Sequence, residues 1–349
     1  MVSLGSPRGL PADAPGESRA GAGFEQAARE AAAEWPEHAL EFARTLGTAA
    51  PFPGEGRTRE LWELLAELGA ADLSVARVVE PHLDALAILR QAGLGPPEAG
   101  SVWGVFAAEA PGARLEVRRT GDGWQLLGTK PWCSLAGALS HAVVTAHTGP
   151  TTRRAFAVAL GQPGITVREG GWHALGLPGI PSGPVEFDAV PAEPVGPDGW
   201  YLERPGFAWG GIGVAAVWHG GALGVARRLW AAASERTPDQ LALAHFGSAD
   251  LALGAAHAVL AAAAGAVDSG QAEAEAGARL ALRVRGTVAA AAEHVLTIVD
   301  HALGPAPLAF EAEHAQRVAD LRLYLRQHHA ERDAAALGRA LLEAGEQPW

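Results

Sequence analysis

The sequence predicts a mainly α-helical protein in which a small antiparallel β domain separates an N-terminal helical domain from a C-terminal four-helix bundle. Three observations predict it. Apolar residues recur at helical spacing from Phe24 to about Gly95. From Ser101 the pattern shortens to alternating runs broken by Gly, Pro and Asp. From about Phe207 the chain returns to long, alanine-rich helical runs with short connections. The limits that follow are a mobile tail over 1–22, a helical domain over 23–100, a β domain over 101–206 and a bundle over 207–349.

In the first domain, "FEQAAREAAAEW" places Phe24, Ala27, Ala28, Ala31 and Trp35 on one stripe. "TRELWELLAELGA" (58–70) aligns Leu61, Leu64, Leu65 and Leu68, opens on a threonine and stops at Gly69. "VARVVEPHLDALAILRQAG" is a third helix, with Pro81 near its start or at a kink. In the second, "ARLEVRRTGDGWQLLGTK" and "HAVVTAHT" read as strands, with a hairpin turn at "TGDGW" (120–124). In the third, helices are expected over 209–235, 238–268, 271–301 and 311–344. The last includes "DLRLYLRQHHAERDAAALG" (320–338), where Leu321, Tyr324, Leu325 and His328 share an inward face and His329 points to solvent.

Composition narrows the function. The chain has 349 residues, 48% of them hydrophobic and 19% charged, as in ordinary globular proteins. A net charge of −12 opposes a general nucleic-acid surface. Cys133 is the only cysteine, which excludes a disulfide framework and suits a reducing compartment. The start lacks the apolar core of a signal peptide, and the alanine-rich run 251–267 suits a bundle core better than a membrane. A cytoplasmic protein is expected.

Local motifs are modest. Gly211-x-Gly213-x-x-Ala216 is a formal dinucleotide fingerprint, but no strand precedes it, and glycines for close helix packing explain it better. His328 with Glu331, or His329 with Asp333, could ligate a metal only if another helix supplied a third group such as His314 or His301; a solvated charged face is the simpler reading, and no metal is expected. Cys133 reads as a small buried hydrophobe. In "GTKPWCSLAG" (128–137), Trp132 and Ser134 could form an aromatic wall with a hydroxyl for a planar heterocycle, or Trp132 could be a core residue near a strand end.

The whole chain, over roughly 24–345, resembles the acyl-CoA dehydrogenase-type flavoproteins. The resemblance is carried by "GDGWQLLGTKPWCSLAGALSHAVVTA" (121–146), "HALGLPGIPSGPVEFDAVPAEPVGPDGWYLERPGF" (173–207) and "VDHALGPAPLAFEAEHAQRVADLR" (299–322). It implies an FAD cofactor, an acyl-CoA-like small-molecule substrate and a homo-oligomer, with neither nucleic acid nor membrane as partner. It implies that Trp132 and Ser134 lie against the flavin ring. Gly304 matches a glycine that approaches a neighbouring subunit's FAD, and His301 stands where the family has Gln. Arg236 matches a bundle arginine approximately, by its distance from Gly224; Asp320 matches the Asp of the family's Arg-Asp pair.

The chain also departs from the family. "AAEAPGARLEV" (107–117) keeps Glu109, Pro111 and Gly112 of the first flavin-binding stretch without its phosphate-binding hydroxyls. The place of the catalytic Glu after the Arg-Asp pair is held by His328, and the alternative place falls near Val214. The resemblance therefore implies an FAD-dependent oxidoreductase of this class with His328 as candidate base. A flavin monooxygenase on the same fold and a non-catalytic scaffold or binding relative are the alternatives.

Overall fold

A computed structural model describes residues 17–345 and 347, apart from 122, 169 and 236. The tail expected over 1–22 falls largely outside these residues, and the first helix already begins at Glu17. Four helices lead the chain: α1 (Glu17–Ala33), α2 (Glu37–Ala49), α3 (Thr58–Ala71) and α4 (Leu73–Gln91). The α4 N-terminus is capped by Asp72, whose carboxylate accepts the Ser74 and Val75 N–H groups at 2.8 and 2.9 Å. The helix is buried nearly all round, from Leu73 and Val75 to Ile88 and Leu89, so Arg77 and Glu80 are carried into the interior, while Arg90 at its end stays exposed.

Seven strands follow: β1 (Trp103–Phe106), β2 (Leu115–Thr120), β3 (Gly123–Lys130), β4 (His141–His147), β5 (Arg153–Ala159), β6 (Ile165–Val167) and β7 (Val185–Val195). Their order is β1-β4-β2-β3-β7-β5, and β4 also pairs with β5, closing a ring through five of them. The expected wholly antiparallel sheet is corrected here: β1 and β2 each run parallel to β4. The chain reverses in the β2–β3 hairpin and again between β3 and β4, so β4 returns with the sense of β1 and β2. A bulge at Gly128, where φ is +112, bends β3, which stays paired with β7 through Lys130. A Cβ at Gly128 would stand 2.3 Å from the Arg114 carbonyl oxygen, so the bend admits only glycine.

The C-terminal third begins with the short α5 (Trp200–Glu203) and continues with α6 (Pro205–Glu235), α7 (Gln240–Asp268), α8 (Ala274–Leu303), α9 (Ala306–Phe310), α10 (Ala312–Tyr324) and α11 (Glu331–Ala344). The three long helices α6, α7 and α8 pack on one another, with α10 against α6 and α11 against α8. The formal fingerprint Gly211-x-Gly213-x-x-Ala216 lies inside α6, and the α6 glycines serve packing. A Cβ at Gly220 would fall 1.9 Å from the Ala66 carbonyl oxygen, and one at Gly69 2.4 Å from that of Val217, so α3 and α6 touch backbone to backbone.

The helix expected without interruption over 311–344 is the second correction. It ends at Tyr324, passes through a 3-10 turn over Leu325–Gln327 and an extended His328, and restarts after Ala330, where φ is +47. Asp333 in the first turn of α11 accepts the His329 N–H at 3.0 Å, a capping contact that replaces continuation of the helix. Glu331 and Asp333 are acids where a helix N-terminus favours them.

Candidate functional site

The loop after β3 carries Trp132 and Ser134. It is pinned to a second loop by the Cys133 N–H donating to the Gly183 carbonyl at 3.0 Å and that of Leu135 to Pro181 at 2.9 Å. Trp132 has a φ of +58, and its side chain is 57% exposed, so it is not a core residue. Ser134 turns inward: its Oγ lies 2.8 Å from Ser182 Oγ and accepts from Arg77 Nη2 at 3.2 Å. The two residues share a turn and not a strand face. Cys133, between them, is buried, and burial pushes its thiol pKa up to about 12, which removes it as a nucleophile at neutral pH.

Behind Ser134 stands a buried polar cluster. Arg77 Nη1 donates to Glu80 Oε2 at 3.0 Å, the guanidinium lies 5.0 Å from the centre of the Tyr324 ring, and Tyr324 Oη donates to Glu80 at 3.3 Å. Burial raises the Glu80 pKa to about 7, Arg77 opposing it, so the carboxyl is poised between charged and neutral. A cavity of about 20 Å³ opens here, lined by Arg77, Pro81, Trp103, Phe106 and Ser134 among others. Two larger clefts, of about 680 and 510 Å³, flank the 94–98 loop and are lined by none of Trp132, Ser134 and His328.

The break between α10 and α11 places His328 against this cluster. Its ring lies edge-on to Trp218 at 6.3 Å between centres, and Trp218 is in turn edge-on to Tyr324 at 6.3 Å. A chain of contacts thus runs from Ser134 through Arg77, Tyr324 and Trp218 to His328. Desolvation lowers the His328 pKa, partly offset by Asp333, whose Oδ2 is 3.7 Å from Nε2. The imidazole is therefore neutral at physiological pH. His329 is exposed as expected, with Asp333 Oδ1 3.4 Å from its Nδ1. Trp218 is fully buried, its indole N–H has no partner among the described residues, and the Arg285 guanidinium covers its face at 4.7 Å.

The other expected residues lie elsewhere. His301 is exposed in the last turn of α8, and Gly304 caps that helix with a φ of +67, its N–H donating to the Asp300 carbonyl. Both stand apart from the run of contacts between Ser134 and His328. Arg236 lies outside the described residues. His314 is buried in α10, and among the described residues no group of three or more His, Cys, Asp or Glu side chains is disposed to hold a metal ion. Asp320 is buried and accepts the Leu177 N–H, tying α10 to the loop that carries Ser182. Lys130, also buried, holds Glu109 at 2.6 Å, and Glu109 further meets His147 at 3.2 Å and Arg153 at 3.5 Å. Sequence reasoning misses Arg77, Glu80, Trp218, Tyr324 and Arg285 as members of the site. Arg77 and Glu80 carry a signal, two opposite charges spaced i, i+3 in a mainly apolar helix; Trp218 carries none.

Comparison with solved structures agrees with this architecture. KijD3 in complex with FMN and dTDP-3-amino-2,3,6-trideoxy-4-keto-3-methyl-D-glucose is 22% identical, with a TM-score of 0.75 over 97% of this chain and 96% of the other. Methanesulfinate monooxygenase MsuC from Pseudomonas fluorescens is 22% identical, with a TM-score of 0.74 over 93% and 98%. Glutaryl-CoA dehydrogenase from Mycobacterium smegmatis is 18% identical, with a TM-score of 0.75 over 92% and 94%. No family profile and no curated protein sequence matches the chain. The chain has the acyl-CoA dehydrogenase fold, in a divergent form, as the sequence resemblance implied.

Proposed function

We propose that the protein is a flavin-dependent oxidoreductase, with the flavin ring against Trp132 and Ser134 and His328 as the proton-handling residue. The observation that carries this reading is the unbroken run of contacts from Ser134 to His328, which joins a wall suited to a planar ring to a neutral imidazole. The residues fit the ring: an exposed aromatic side chain lies beside a hydroxyl already oriented by Arg77. They fit the arm of FAD less well, because residues 107–112 offer no hydroxyl and the Glu109 carboxylate is engaged by Lys130, His147 and Arg153. FAD is the cofactor the resemblance implies; KijD3 was solved with FMN. Release of the bound cofactor and chromatography against FAD and FMN standards separates the two.

When bound, a flavin would accept two electrons or support chemistry with dioxygen. In oxidation of an acyl thioester, His328 would take the α proton. Asp333, whose Oδ2 lies 3.7 Å from Nε2, would stabilise the imidazolium that forms when the proton is taken. A second reading, oxygenation on the same fold, draws support from the likeness to methanesulfinate monooxygenase MsuC and from the absence of a glutamate at the place of His328. Leu241, Leu243 and Leu251, all exposed on α7, support assembly of several copies; α7 has the length and hydropathy of a membrane span but packs beside α8.

The visible absorption spectrum of the purified protein, before and after titration with FAD and FMN, tests the reading. Failure to bind either flavin sinks it. Given a flavin, anaerobic bleaching by acyl-CoA substrates supports dehydrogenation, and bleaching only by external reductants supports oxygenation.

A further inference from the structure

Arg285, in the middle of α8, meets two other parts of the fold, α6 and the α10–α11 break, through one guanidinium. Nη1 donates to the Gly211 carbonyl of α6 at 2.7 Å, and Nη2 donates to the Gln327 carbonyl in the α10–α11 break at 3.0 Å. Its plane covers the Trp218 indole at 4.7 Å. Gln327 ends the 3-10 turn, where a carbonyl lacks a helical partner, so the arginine supplies a donor that the backbone cannot. His328 is the next residue, and its ring rests on the edge of the same indole. From α8 itself, the space beside His328 is left open by Gly286, where an added Cβ would stand 3.9 Å from Nε2.

We infer that Arg285 is the positioning residue for His328: it fixes the backbone of the break through Gln327 and the ring through Trp218. For its functional meaning this rests on the role proposed for His328, but the geometry stands without it. The planar fork is needed because its two nitrogens reach carbonyls on separate elements, whereas the donors of a lysine ammonium radiate from a single nitrogen and lack the plane that stacks on the indole. The charges around His328 are Asp333 from α11, Arg285 and Glu293 from α8, and Arg326 from the turn, which pairs with Glu293. Of these, Arg285 is the cation held against its indole neighbour.

The experiment uses the full-length protein without added cofactor. The imidazole C2–H resonance of His328, assigned by its loss in His328→Gln, is titrated in wild type, Arg285→Ala and Arg285→Lys. Amide exchange of His328 and His329 is followed in the same samples. Arg285→Ala is expected to raise the His328 midpoint by roughly half a pH unit or more, since a nearby cation and its burial are both removed, and to speed exchange of both amides about tenfold. Arg285→Lys, keeping the charge and losing the fork, is expected to keep the midpoint low while exchange still quickens. Unchanged exchange in both variants overturns the inference, and so does faster exchange with an unmoved midpoint in Arg285→Ala, which would make Arg285 part of the scaffold alone. Should Arg285→Ala fail to fold, wild-type exchange rates in Arg285→Lys overturn it. None of these readings needs a flavin, so failure of the flavin proposal and failure of this one are separable.

Discussion

Glu80→Gln isolates the energetics of the buried cluster. In the folded protein the carboxyl titrates near pH 7, against an ordinary value of 4.5, chiefly because burial disfavours its charged form. The neutral form is therefore favoured by folding. Stability from this group is fully present below about pH 4.5 and is lost as pH rises through 7. Each pH unit between the unfolded and folded midpoints is worth about 1.4 kcal/mol, so the loss across the window is about 3 kcal/mol. The wild-type curve alone cannot show this, because His82 and His219, each pushed down to about 4 by burial, act in the opposite sense. They destabilise the fold as pH falls below the ordinary histidine range. Subtraction removes them: urea unfolding at pH 5, 6, 7 and 8 in wild type and Glu80→Gln gives a difference that changes with pH through Glu80 alone. Glutamine can still accept from Arg77 and Tyr324, so packing is nearly conserved. The variant is expected to gain on wild type by about 3 kcal/mol between the ends of the window. Parallel stability curves would refute the assignment of a raised Glu80 pKa and the poised cluster with it.

Other substitutions address packing and the proposed site. Gly220→Ala forces a methyl onto the Ala66 carbonyl oxygen, and since backbone cannot give way as a side chain can, the cost is expected at roughly 3 kcal/mol or more by chemical denaturation. Trp132→Ala removes an exposed ring; stability should stay within about 0.5 kcal/mol, while flavin affinity in an absorbance titration falls at least tenfold. Trp218→Phe keeps an aromatic core and deletes a buried donor that has no partner among the described residues, so it should cost about 1 kcal/mol, well below the roughly 3–5 kcal/mol of a Trp-to-Ala truncation.

The sequence by itself determined the element types and their order. Helical spacing marks the covered face of each helix, and period-two runs mark the strands, because local geometry dictates which side chains share a side. It also held the glycines of α6, and it distinguished a packing stripe from a nucleotide loop because no strand preceded them. Two local expectations gave way to tertiary structure. The sheet is mixed because strand neighbours are chosen by the closed ring, which no single segment encodes. The last helix breaks at His328 although its apolar spacing continues through the break. Here the Asp333 cap and the Arg285 contact to Gln327 satisfy the freed backbone groups. The acids at 331 and 333, following basic residues at 322 and 326, mark that break in the sequence, but as charge and not as periodicity. Only the tertiary structure brought α4, α6, α8 and the α10–α11 break together around Trp218, because the contacts that define the candidate site join residues far apart in the chain. That is why His328 could be found by its position after Asp320, and Arg77 and Glu80 left a faint charge signal in α4, whereas Arg285 could be found only by what it touches.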